Sequence, residues 1–215
     1  MKTIKNIQIL ALLILFIGFT SCSNDDDTPT ELLVSATVSE TISNMHAPQQ
    51  GGQGQPVSGD YAKFDFSTGQ TTTNATDWDI AFRGTSIIVN GGESLGTTDE
   101  PNRTGDAAAY IVNGTLAAIT NVDTALFEQD SSTGTAIPSG SGNGWYIYAG
   151  PPTHLINPTP GKILVFKTRD GKYAKVEILS YYKDAPANPD AFVNESRYFT
   201  FNYVYQPNTG STTFE

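Results

Sequence analysis

From residue 61 onward, apolar and polar side chains alternate in short runs, which is the period of a half-buried β-strand. In Tyr61-Ala62-Lys63-Phe64-Asp65-Phe66, the residues Ala62, Phe64 and Phe66 share one face. In Asp77-Trp78-Asp79-Ile80-Ala81-Phe82-Arg83, Trp78, Ile80 and Phe82 point toward a core and the charges point to water. Residues 86–89 continue as a β-branched run. Residues 109–116 read as a strand with a turn signal at Asn113-Gly114, and residues 145–148 as another. The clearest local structure is a hairpin, with strands over 162–168 and 172–182 and a tight turn at Arg169-Asp170-Gly171, where Asp-Gly supplies positive φ. Within it Ala174, Val176 and Ile178 are expected in the core, and Lys175 and Glu177 in water. The last strand, 197–205, sets Phe199, Phe201, Tyr203 and Tyr205 on one face. A first strand is predicted over 32–38.

Between these runs lie long polar stretches. Residues 44–60 are rich in Gln, Gly and Pro and read as a loop. Residues 93–106 and 131–144 are further loops, 117–130 could hold one short helix, and 150–161 is a proline-dense loop carrying His154. No long helical period and no internal repeat is present. The expected fold is all-β, with antiparallel sheets in a single domain over 32–215. Loops of this length are uncommon without a function.

The N-terminus departs from this pattern. Lys2 and Lys5 precede an apolar run from Ile7 to Phe19, and Phe19-Thr20-Ser21 leads to Cys22. That is the layout of a secretory signal over 1–21, and its end resembles a bacterial lipobox with Cys22 as the lipidated residue. Residues 22–31 read as a flexible tether. Asp25, Asp26 and Asp27 are either simple solvation or an export tag of the kind seen on Bacteroidetes surface lipoproteins. The expected location is the outer membrane, exposed at the cell surface or facing the periplasm, held by the lipid anchor alone.

The chain has 215 residues and a formal net charge of −10. An acidic surface repels nucleic acid, so no nucleic-acid partner is expected. Cys22 is the single cysteine. Once it is lipidated, thiolate catalysis, iron–sulfur clusters and Cys-type zinc sites have no ligand. No nucleophile elbow, phosphate-cradling loop or EF-hand spacing occurs. Asp77 and Asp79 look like a carboxylate pair, but solvated strand edges look the same. No enzyme is expected.

Four blocks then come in order: Trp78-Asp79-Ile80-Ala81-Phe82-Arg83, Lys167-Thr168-Arg169-Asp170-Gly171-Lys172-Tyr173-Ala174-Lys175, Ile178-Leu179-Ser180-Tyr181-Tyr182, and Tyr198-Phe199-Thr200-Phe201-Asn202-Tyr203-Val204-Tyr205-Gln206. Together, over roughly 60–206, they resemble the HmuY family of haem-capturing surface lipoproteins of Bacteroidetes. The resemblance implies an all-β fold like an open hand, haem held between finger-like loops by two axial histidines, and transfer to a TonB-dependent outer-membrane receptor. It also implies that His154, in the loop before the 162 strand, is one ligand. The other family ligand should lie between the Trp78 block and His154, where this chain has neither His nor Met.

Haem iron accepts His, Met, Cys or Tyr as axial ligand. The candidates are therefore His154, His46 and Met45 as metal ligands, with Tyr146 and Tyr148 near His154 as further cofactor-binding residues. Each has a bland reading. His154 could be polar surface on a stiff loop, His46 a leader residue, and Met45 a gap filler. Trp145, Tyr146 and Tyr148 could form a stacking platform or simply pack. Two other functions stay open: a surface module for a glycan or peptide, motivated by the missing second ligand and Trp145, and a non-haem accessory of an outer-membrane transporter.

Overall fold

The computed structural model of the protein describes residues 34–215. The signal segment, Cys22 and the acidic tether lie outside those residues. In chain order the strands are β1 (Val38–His46), β2 (Gln50–Gly52), β3 (Gln55–Ser58), β4 (Ala62–Asp65), β5 (Gln70–Thr72), β6 (Ile80–Arg83), β7 (Ser86–Val89), β8 (Ala108–Asn113), β9 (Tyr146–Tyr148), β10 (Ile156–Pro158), β11 (Lys162–Lys167), β12 (Tyr173–Tyr182) and β13 (Ser196–Gln206). A five-stranded sheet has the order β1-β13-β12-β11-β8, and a four-stranded sheet the order β5-β4-β6-β7. The hairpins β2–β3 and β9–β10 stand apart from both. All these ladders are antiparallel.

The two larger sheets share one aromatic core. Phe64 meets Phe201 edge-on at 5.4 Å between ring centroids, Phe82 lies 4.8 Å from Phe199, and Phe66 lies 5.6 Å from Phe166. Ala174, Val176 and Ile178 of β12 and Phe199, Phe201, Tyr203 and Tyr205 of β13 all enter this layer. The period-two reading of those strands therefore holds, and the turn between β11 and β12 is built as expected, with Gly171 at φ 81°.

The chain departs from the simple alternation where its sheets are covered twice. Lys175 is buried rather than solvated, and its Nζ donates to the carbonyls of Leu116 (2.6 Å) and Ile119 (2.7 Å). The outer face of the five-stranded sheet is capped by segment 115–127 and the C-terminus, through Leu116, Ile119, Phe127 and Phe214. These connections have no strand period, so no alternation reveals them. Asp79 and Arg83 are likewise buried, and Trp78 leaves the Ile80–Phe82 face to pack with Tyr61, Ala81 and Ile88. The predicted helix in 117–130 is one 3-10 turn, Thr124–Leu126, capped by Asp123. The Gln/Gly stretch is not all loop, since it folds into β2–β3.

The predicted first strand is displaced toward the C-terminus, and β1 begins at Val38. β1 is an edge strand, mostly exposed, with a register shift between Ile42 and Met45 where Asn44 takes φ 58°. The bulge turns Met45 into the core and leaves His46 outside, beside its partner Tyr198.

Candidate functional site

Two hairpin tips meet at one place. The first joins β9 to β10. Its loop is closed by Ala149 N–H donating to Leu155 O (2.8 Å) and His154 N–H donating to Gly150 O (2.8 Å). His154 there has φ 54°, a left-handed conformation in which histidine is enriched among non-glycine residues. The second tip joins β12 to β13 over residues 183–195. Asp190 caps its turn, accepting from Phe192 N–H at 2.9 Å, while its carbonyl accepts from Asn194 N–H at 2.8 Å. The turn holds Phe192 and Val193 outward, 75% and 77% exposed.

Between the tips is a cleft of about 300 Å³, lined by Pro152, Thr153 and Leu155 on one side and Pro189, Asp190 and Phe192 on the other. That is at the small end of the range for ligand pockets. The His154 ring lies beside it, edge-on to Phe192 with centroids 5.7 Å apart. Its Nδ1 shares a hydrogen bond with the Tyr148 hydroxyl. Ile147 and Tyr148 on β9 are also exposed. Burying a side chain the size of Phe192 stabilises by roughly 1.5–3 kcal/mol. Several apolar groups left in water at one spot therefore mark a binding surface.

The other candidates are sorted by burial. Tyr146 shares a strand face with Tyr148, yet it packs in the main core against Trp145, so it is not a cofactor-contacting residue. β9 starts over the core and runs out past its rim, and period two cannot tell the two tyrosines apart. Trp145 is buried, its Nε1 donates to Thr85 O at 2.9 Å, and it packs at a tilt against Tyr181 and Phe199. It offers no platform to a ligand. Met45 is 4% exposed, and its thioether belongs to the core rather than to a ligand set. His46 stacks flat on Tyr198 at 4.3 Å and, with Met45, borders a different groove of about 720 Å³ beside the β4–β5 hairpin. The structure thus joins His154 with Tyr148 and joins neither to His46 nor to Met45. Phe192 and Val193 escaped the sequence reading. The available signal was an apolar Ala191-Phe192-Val193 triplet inside a loop otherwise rich in Pro, Asp and Asn.

The strongest electrostatics belong to the scaffold. Asp79 accepts from the backbone N–H of Phe66 (2.9 Å) and Arg169 (3.0 Å), and Arg169 also reaches Asp65 at 3.2 Å. Burial raises the Asp79 carboxyl above the usual carboxylate range despite those bonds. Burial pushes Asp65 the same way, but hydrogen bonds from Ser67 and Arg169 more than offset it and hold that carboxyl below the range. Among the described residues no three His, Cys, Asp or Glu side chains gather into a metal cage.

The sequence pattern of the HmuY protein family matches residues 58–203. No curated protein matches this chain. Among solved structures, the apo HmuY analog of Tannerella forsythia is 14% identical with a TM-score of 0.50, covering 82% of this chain and 100% of that one. A Bacteroides fragilis NCTC 9343 protein assigned as a lipoprotein is 14% identical, covers 80% of this chain and 90% of its own, and has a TM-score of 0.47. A Bacteroides vulgatus ATCC 8482 protein assigned as HmuY-like and heme-binding is 14% identical, covers 82% and 97%, and has a TM-score of 0.37. At that identity the first likeness speaks to the fold alone. The family pattern, by contrast, runs from the end of β3 into β13 and spans well over half of the sequence, and on that ground the chain belongs to the HmuY family.

Proposed function

We propose that this protein is a non-enzymatic haem-binding lipoprotein that takes the porphyrin between the β9–β10 and β12–β13 tips. The single observation that carries the reading is the His154 imidazole, bonded to Tyr148 and set against Phe192, an exposed aromatic that lines the cleft between the tips. Haem asks for two things, apolar cover for its ring and a donor for its iron. The residues present supply both. Phe192, Val193 and Leu155 offer the cover. His154 offers an imidazole whose Nδ1 is already engaged and whose Nε2 has no hydrogen-bond partner among the described residues. When bound, haem would bring a metal open to one axial bond from the protein. A chain with net charge −10 does not draw haem's carboxylates from a distance, so affinity arises from contact.

Titration of the mature chain with hemin tests this. A sharpened, shifted Soret band that saturates and is lost in His154→Ala is the expected result. A spectrum indifferent to that substitution overturns it.

The same reading includes lipid attachment at Cys22, residence at the outer membrane, and delivery of haem to a TonB-dependent outer-membrane receptor. It is supported by the signal-like N-terminus and family membership. Metabolic labelling with palmitate is expected for the wild type and absent for Cys22→Ala.

A further inference from the structure

We infer that Tyr148 is a positioning residue whose hydroxyl oxygen accepts from Nδ1–H of His154 while Nε2 binds iron, and that it thereby favours ferric over ferrous iron. This rests on the reading of His154 as the iron ligand. It deepens that reading by naming the oxidation state the site selects.

A neutral imidazole carries one proton shared between two nitrogens. Only the nitrogen without it can give a lone pair to a metal. The structure sets the Tyr148 hydroxyl against Nδ1 of His154. If the proton sits on Nδ1, that N–H donates to the phenol oxygen and Nε2 is left as a donor to iron. If it sits on Nε2, the phenol O–H donates to Nδ1 and the exposed nitrogen is capped by hydrogen. Tyr148 is about two-fifths exposed, so its own hydroxyl hydrogen can turn to water while the oxygen accepts. The first arrangement is therefore open, and iron captures it.

The pair is held from several directions. Tyr148 N–H donates to Ser141 Oγ at 2.8 Å, and Tyr148 pairs with Ile156 across β9–β10. His154 is fixed by its loop hydrogen bond to Gly150 O and by the edge of Phe192. An acceptor on Nδ1–H makes the imidazole a stronger base toward its metal, and outer partners of this kind typically change metal affinity by about 10–100-fold. A stronger donor favours the higher charge of Fe(III).

The test is Tyr148→Phe, which removes one hydroxyl from an exposed ring. With hemin, the variant should still shift the Soret band through His154. Its ferric affinity should fall about tenfold or more, its ferrous affinity less, and the reduction potential of the bound iron should rise. An unchanged potential in Tyr148→Phe overturns the inference and leaves the haem reading intact. Loss of the iron bond in Tyr148→Phe with its retention in His154→Ala also overturns it, because the phenol would then be the ligand. A wild type that takes no hemin refutes the haem reading itself.

Discussion

Arg169 stands between two buried carboxylates, and its removal has a signed consequence. It is 3.2 Å from both Asp65 and Asp79. Breaking a buried ion pair by removing one partner costs on the order of 3–5 kcal/mol. Because Arg169 keeps some solvent contact, Arg169→Met is expected at the low end, about 3 kcal/mol, by urea unfolding at pH 7. The pH dependence separates the two states. In the wild type, Asp65 is held low, so its contribution is present at neutral pH and is lost only as pH falls through its folded value, below the ordinary 3.8. Asp79 is raised, so its contribution runs the other way and declines as pH rises from 3.8 through its folded value. In Arg169→Met both carboxyls lose their cation and both rise. The stability deficit of the variant relative to the wild type should therefore shrink as the pH is lowered from 7 toward the carboxylate range. None of this network shows in the alternation of Asp77 to Arg83, which predicts solvent for Asp79. A buried charge and a solvated one leave the same mark on a strand until its partners, 13 and 90 residues away along the chain, are in view.

The elements divide cleanly into scaffold and tip, and paired substitutions read that division. Phe199 on β13 is fully buried at the centre of the core, and Phe199→Ala is expected to cost about 3–5 kcal/mol. Phe192 at the β12–β13 tip is 75% exposed, and Phe192→Ser should change stability by no more than about 0.5 kcal/mol while weakening hemin binding. Thermal melts and hemin titrations of both variants check this, and equal loss of stability in the two would contradict it. Lys175→Ala leaves the carbonyls of Leu116 and Ile119 without their donor, and faster amide exchange over 115–122 is expected. The hairpin β11–β12 and strand β13 were legible because alternation and Asp-Gly agree. β1 was not, because an exposed edge strand reading VSETISNMH has almost no apolar face. The β9–β10 tip was legible as a loop and as the place for His154, whereas the β12–β13 tip carried no reading. Their meeting was not legible, because 183–195 and 149–155 are brought together by sheet topology rather than by any local signal.

At the scale of the whole molecule, the core lies between two packed sheets and the candidate site lies on hairpin tips outside it. The resemblance to HmuY was carried by buried scaffold residues, such as Trp78, Lys175 and Phe199, so it predicted the fold and not the second ligand. The acidic surface has a kinetic consequence. A chain at −10 repels an anionic porphyrin, and screening shortens the reach of that field from about 30 Å at 0.01 M salt to about 8 Å at 0.15 M. The association rate of hemin should therefore rise with ionic strength over that interval, measured by stopped-flow absorbance. A rate that falls would reveal a local positive field at the tips. The account as a whole turns on which imidazole meets the iron, since the chain has two histidines and only one stands at the cleft. Absorption spectra of hemin complexes of the mature chain, as His154→Ala and as His46→Ala, decide it. Loss of the shifted Soret band in the first and its retention in the second is the predicted result; retention in the first, or loss in the second alone, contradicts it.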